Sequence, residues 1–233
     1  MRTSWLSGML LAGLIVAGLG CTSTTPIEDG SNLGGVITLS DEFVAAFVYA
    51  TDDGAILFDT GGDEQGSNVL AGLAQQGLSA ADVTDVFLTH GHGDHCAGML
   101  LFPQARIWGF EQDLPLLQAE GPAGAQLSGL LADGQRVQTG AGVEVEALLT
   151  PGHTPGNAVF VVERVVVMGD TAVANTDGSI SPPPSFFSED PAQATQALSD
   201  LALRLEPRAA TLEGMVFGHS GPVETLDALL EWL

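Results

Sequence analysis

Residues 90–95 read His-Gly-His-Gly-Asp-His, so three of the chain's five histidines and an aspartate fall within six positions, spaced by glycines. Imidazoles two and three residues apart are what a divalent metal ion draws from a protein loop. Along an extended loop alternate side chains face one way, so His90, His92 and Asp94 share a side and His95 faces another. One tetrahedral ion rarely takes four ligands from six consecutive residues. Two neighbouring ions, each completed from distant parts of the chain, satisfy the pattern, and Gly91 and Gly93 let the backbone bend closely around them.

The distant ligands are visible as well. His153 lies in the loop "TPGHTPGN", Asp170 ends "VVVMGD", and His219 follows "GMVFG", each just after an apolar run that reads as a strand. All five histidines thus fall into one pattern with two aspartates. Joint placement at strand ends favours ligation over scattered packing roles.

The elements that must carry these residues alternate along the chain. "FVAAFVYAT" and "AILFDT" flank Asp52-Asp53-Gly54 as a hairpin, and a helix is expected from about Ser67 to Gln76, closed by Gly77. "DVFLTH" is a buried strand entering the histidine cluster. "ARIWGF", a helix near Glu111–Gln118, and strands at "VEVEALLT", "NAVFVVE" and "RVVVMGD" follow. Asp190 and Pro191 open a long helix, and "VETLDALLEWL" is expected to close the chain as an amphipathic helix. Strands and helices alternate throughout, which gives an α/β domain.

Composition limits the partners. Asp and Glu number 29 against six basic residues, all arginine, for a net charge of −23, which disfavours nucleic acid and anionic lipid surfaces. No protein partner is implied, and a small-molecule substrate is expected. Residues 1–20, with Arg2 before a short apolar run, read as a secretory signal peptide. Residues 21–34, rich in Thr, Ser and Gly, read as a flexible tether, leaving 35–233 as the catalytic domain. The segment ending at Cys21 resembles a bacterial lipoprotein box. That likeness implies lipidation at Cys21, a membrane link through that lipid alone, and an exported protein of the periplasm or cell surface.

The order His-x-His-x-Asp-His, then His, Asp and His at later strand ends, resembles the metallo-β-lactamase superfamily over nearly everything after residue 34. The resemblance implies an αβ/βα four-layer sandwich with the site along one edge. It assigns His90, His92 and His153 to a first metal, Asp94, His95 and His219 to a second, and Asp170 as the bridging carboxylate. Asp59 in "FDTGG" matches an aspartate that steadies the metal loop from behind its ligands. Because true β-lactamases generally lack the bridging aspartate, Asp170 points to the glyoxalase II, lactonase and related hydrolase branches.

The activity so implied is cleavage of an ester, thioester or lactone. Two divalent ions, zinc being expected and iron the alternative, would bring a shared water's pKa from about 15.7 towards 7, and Asp94 would orient that water and take its proton. Phe186 and Phe187, in "SISPPPSFFSEDP", are the expected apolar wall of the substrate site. Cys96 reads either as an activated thiol or as a small side chain packed under the metal loop. Two alternatives stand beside the hydrolase: a persulfide dioxygenase-like enzyme with one iron on His90 or His92, His153 and Asp170, and a non-catalytic metal-binding lipoprotein.

Overall fold

The structure, a computed structural model, describes residues 23–233. The signal segment and Cys21 lie outside the described residues. A first sheet runs in the spatial order of the chain: β1 (Asn32–Leu33), β2 (Val36–Asp41), β3 (Val44–Thr51), β4 (Gly54–Phe58), β5 (Val83–Phe87), β6 (Arg106–Phe110) and β7 (Gly129–Leu131). A second sheet comprises β8 (Gln135–Gln138), β9 (Glu144–Leu149), β10 (Ala158–Val162) and β11 (Val165–Val167). After the short ribbon of β12 (Val173–Ala174) and β13 (Ile180–Ser181), it is completed by β14 (Gly214–Phe217) and β15 (Ser220–Val223), in the order β15-β14-β11-β10-β9-β8.

Alternation along the strands builds the layers. Ala45 and Phe47 of β3, and Ile56 and Phe58 of β4, point between the sheets, where they meet Ala158, Phe160 and Val162 of β10. The intervening Ala46, Val48, Ala55 and Leu57 point the other way, onto Val69 and Leu73 of helix α1 (Ser67–Gln75). In β10 the complementary Val159 and Val161 face Leu198, Leu201 and Leu205 of a later helix. Strands buried on both faces read as continuous apolar runs, which is why "AILF" and "AVFVV" carry no polar residue. The rings of Phe58, Phe87 and Phe160 join the sheets, with centroids 5.3–5.7 Å apart. The result is helix, sheet, sheet, helix: the four-layer αβ/βα sandwich.

The helices beyond α1 are α2 (Gly93–Cys96), α3 (Leu114–Glu120), α4 (Pro191–Leu205) and α5 (Asp227–Leu230). The Asp190 carboxylate accepts from the Gln193 amide at 2.9 Å, and Pro191 opens α4 without wasting a backbone donor. β4, β5, β6 and β7 are mutually parallel, as are β11 and β14, so their carboxyl ends gather along one edge of the sandwich. Ligands of open α/β sheets collect at such ends.

Two sequence expectations are corrected here. Residues 23–34 are not a loose tether but a docked strap. The Thr25 amide donates to the Ala174 carbonyl at 2.9 Å, the Thr176 amide to Ser23 at 2.8 Å, the Gly221 amide to Thr25 at 2.9 Å, and Asn32–Leu33 adds β1 to the sheet edge. Backbone pairing of this kind is available to any composition. The closing helix is also shorter than its periodicity suggests. Ser220–Val223 turns back against β14, and only Asp227–Leu230 is α-helical, with Leu226, Ala228 and Leu229 still buried.

Candidate metal centre

β4 and β5 end side by side, and the first contacts of the site form there. Asp59 follows β4 in a left-handed conformation (φ 58°) and is fully buried. Its Oδ1 accepts from the Thr89 amide at 2.7 Å. Its Oδ2 accepts from the Thr89 hydroxyl and lies 2.7 Å from His95 Nδ1. Thr89 Oγ1 in turn lies 3.0 Å from His90 Nδ1. With both Nδ1 atoms donating along this chain, His90 and His95 present Nε2 lone pairs to the site. His219 is set in the same way, its Nδ1 donating to the Phe43 carbonyl at 2.8 Å.

The backbone leaves the extended conformation at Gly93, where α2 begins with His92 as its N-cap. This corrects the extended-loop reading of Asp94. The helical turn swings Asp94 away from His90 and His92 and toward His95 and His219, the grouping implied by the family resemblance.

Three overlapping sets of donor atoms result: His90, His92 and His153; His90, His95 and Asp170; and Asp94, His95 and His219. His153 Nε2 stands 3.3 Å from His90 Nε2 and 3.0 Å from His92 Nδ1. His219 Nε2 stands 3.3 Å from His95 Nε2 and 3.4 Å from Asp94 Oδ2. Two nitrogens each bound about 2.0–2.1 Å from one tetrahedral ion lie about 3.3 Å apart, so these spacings would let each set hold a cation. Asp170 stands between the sets. Its Oδ1 is 3.4 Å from His95 Nε2, and its Oδ2 is 3.4 Å from His153 Nε2 and 3.2 Å from His219 Nε2. Asp170 Oδ1 is also buried without a hydrogen-bond partner among the described residues. A buried carboxylate oxygen left in this way, facing imidazole lone pairs, fits a pair of cations.

The electrostatics agree. Burial, reinforced by neighbouring imidazoles, keeps His90 well below the ordinary histidine range and brings His153 down to about 4. Burial also opposes charge on His95, yet Asp170 and Asp59 outweigh it and lift His95 to about 9. Asp170 and Asp94 likewise overcome burial at His219 and raise it to about 11. The carboxylates that favour positive charge at His95 and His219 would equally favour a cation held beside them. Cys96, by contrast, is pushed up to about 12 by burial and by Asp59, and its Sγ lies 3.6 Å from the Gly91 carbonyl. It packs beneath the loop as an inert thiol.

Several site residues escape sequence reasoning. Asp113, buried just before α3, accepts from the Gly91 amide at 2.9 Å and the Thr154 hydroxyl at 2.7 Å through Oδ2, and from the Gly156 amide at 2.6 Å through Oδ1. One carboxylate therefore clamps the loop of His90 and His92 to the loop of His153. Phe43 stacks its ring on His219 at 5.9 Å and 8°. Above the ligands lies a cavity of about 710 Å³ whose walls include Phe43, Val173, Pro183, Pro184, Phe186 and Phe187. The expected pair, Phe186 and Phe187, thus lies over the site, with rings 4.2 Å apart.

The sequence pattern of the metallo-beta-lactamase superfamily matches residues 39–219. The chain belongs to that superfamily. Among its relatives, human metallo-beta-lactamase domain-containing protein 1 is 39% identical over 177 residues, 74% of this chain and 60% of that protein. A hydroxyacylglutathione hydrolase of Xanthomonas euvesicatoria pv. vesicatoria is 34% identical over 136 residues, covering 56% of this chain and 46% of the relative. The chain thus matches about half the length of these relatives. In structure it resembles a metallo-beta-lactamase family protein from Thermus thermophilus (TM-score 0.66, 22% identity, covering 86% of this chain and 79% of the other). It likewise resembles the MIM-2 metallo-beta-lactamase (TM-score 0.66, 19% identity, 89% and 90%). These two solved structures share the superfamily's fold with the chain.

Proposed function

We propose that the protein is a dinuclear metal-dependent hydrolase that cleaves an ester, thioester or lactone. The observation that carries this reading is Asp170, whose carboxylate faces His153 of one ligand set and His95 and His219 of the other. His90, His92 and His153 would hold one ion, Asp94, His95 and His219 the second, with Asp170 between them. Divalent ions held there, zinc being the expected metal, would supply Lewis acidity toward a carbonyl oxygen and acidify a water.

The chain's own residues do the rest. Asp94 keeps part of its carboxylate open to the cavity, where it accepts the proton a water gives up. Asp59 and Thr89 fix the imidazole orientations so that no reorganisation is needed during reaction. Phe186 and Phe187 cover the substrate and limit solvent access. A complete second ligand set beside the first supports two ions over the single iron of a dioxygenase. The relatives named hydroxyacylglutathione hydrolase support hydrolysis as the reaction class. Export, with a lipid at Cys21, is part of the proposal and rests on residues 1–21 alone.

Metal quantification with a panel of esters, thioesters and lactones tests the proposal. Two zinc ions per chain and turnover are the expected result, whereas one iron with oxygen consumption supports the dioxygenase. Asp170→Ala is expected to lower metal content and abolish hydrolysis; full activity of metal-loaded Asp170→Ala would overturn the bridging role.

A further inference from the structure

We infer that the site takes uncharged substrates with an apolar acyl or alcohol portion and turns away substrates bearing a carboxylate, sulfonate or phosphate. The inference deepens the hydrolase reading and rests on it for turnover, though not for binding.

Three observations carry it. The first is the wall: four of the six residues named above the metal ligands are Pro or Phe at the loop 183–187, and Phe186 and Phe187, whose rings lie 4.2 Å apart, are 78% and 62% exposed. Aromatic rings held in the open over a site are contact area for an apolar ligand.

The second is the placement of positive charge. The chain has no lysine. Each of the five arginines among the described residues is ion-paired to a carboxylate, Arg106 with Asp85 at 2.7 Å and Arg204 with Asp133 at 2.8 Å for example, and none lines the cavity. A ligand carboxylate would find no guanidinium or ammonium to replace its hydration, and burying an unpaired charge is costly.

The third is the negative field. Asp94 and Asp170 at the floor and Glu120 at the rim face the cavity, three carboxylates that offset most of the charge of two divalent cations held below. A net charge of −23 extends the same sign over the whole molecule. Such a field slows the approach of anions and leaves neutral molecules unaffected, and salt screens it.

Two matched pairs test this. Phenyl hexanoate and monophenyl adipate share an acyl chain length and differ by a terminal carboxylate. The metal-loaded full-length protein is expected to show a kcat/KM at least about tenfold higher for the neutral ester at low ionic strength. That gap should narrow at high salt, and Phe186→Lys, an exposed substitution, should reduce it by admitting the anionic ester. In the metal-free and metal-loaded protein alike, N-phenyl-1-naphthylamine should bind about tenfold more tightly than 8-anilino-1-naphthalenesulfonate, the same ring system with a negative charge. The double change Phe186→Ala, Phe187→Ala should weaken the neutral probe.

Equal turnover of the two esters, equal affinity for the two probes, or neutral-probe binding indifferent to loss of both phenylalanines would each overturn the inference. Turnover of neither ester nor of the neutral thioesters and lactones of the panel above, with the probe preference intact, would defeat the hydrolase reading and leave the charge selection standing.

Discussion

Asp113 offers the sharpest test of how this centre is held together, because its hydrogen bonds go to no candidate ligand side chain yet bind both loops that carry the first ligand set. Replacing it by asparagine keeps its volume and exchanges one acceptor oxygen for an NH2 donor. The Thr154 hydroxyl can turn and accept from that NH2, but the amides of Gly91 and Gly156 can only donate, and they approach opposite oxygens of the carboxylate. Whichever way the amide is turned, one glycine N–H meets an N–H. A buried donor stranded in this way costs about 1–3 kcal/mol, and loss of charge from the remaining bonds adds about 1 kcal/mol. We therefore expect Asp113→Asn to lose about 2–4 kcal/mol in urea unfolding of the metal-free protein followed by tryptophan fluorescence. Metal affinity, measured by competition with a chromophoric chelator, should fall about 10–100-fold. A variant within about 0.5 kcal/mol of the parent, with unchanged metal affinity, would show that the two loops are fixed by something else.

Other consequences are equally direct. Phe160→Ala, at the contact of the two sheets with Phe58 and Phe87, is expected to cost about 3–5 kcal/mol of stability in the same urea assay. Burial opposes ionisation of Asp85, yet bonds from Arg106, Trp108, Gly140 and Thr84 outweigh it and hold its carboxyl below the usual range. Its contribution is therefore complete above the unfolded-state value of about 4 and is lost as pH falls below it. Asp85→Asn should accordingly be about 2–3 kcal/mol less stable than the parent at neutral pH, with the difference shrinking in acid unfolding curves below about pH 4. Zinc at about a hundred times its dissociation constant adds about 2.7 kcal/mol for each of the two ions, so calorimetry should show a Tm about 10–20 °C above that of chelator-treated protein. An unchanged Tm would argue against a metal site belonging to the native state.

What the sequence discloses follows from what each residue depends on. The ligands are legible because their chemistry is rare and their spacing short: histidines at 90, 92 and 95 announce themselves, and His153, Asp170 and His219 each end an apolar run. The layers are legible because strands buried on both faces must be apolar throughout. Asp113 is not legible, since "EQDLP" reads only as a helix start, and its role arises when β6 delivers it beneath two loops distant in sequence. Thr89 and Phe43 are hidden for the same reason: a hydroxyl beside a histidine and an aromatic in a hairpin turn have many ordinary uses. The strap of residues 23–34 misleads because its polar composition describes side chains, while its docking is made by backbone pairs. At the C-terminus the spacing of Leu226, Leu229 and Trp232 gives the right buried face, but the return of β15 takes up the chain before a long helix can form.

That strap has a geometric consequence. Ser23 and Thr24 are fastened beside Asn175 and Thr176, and Thr24 itself forms part of the cavity wall. Anything joined to the polypeptide at Cys21 is within about 10 Å of chain from that rim. Were the protein moored there to a bilayer, it would not swing freely on a leash: its entrance would be held close to the lipid headgroups, and molecules dissolved in the membrane would reach it before those in bulk water.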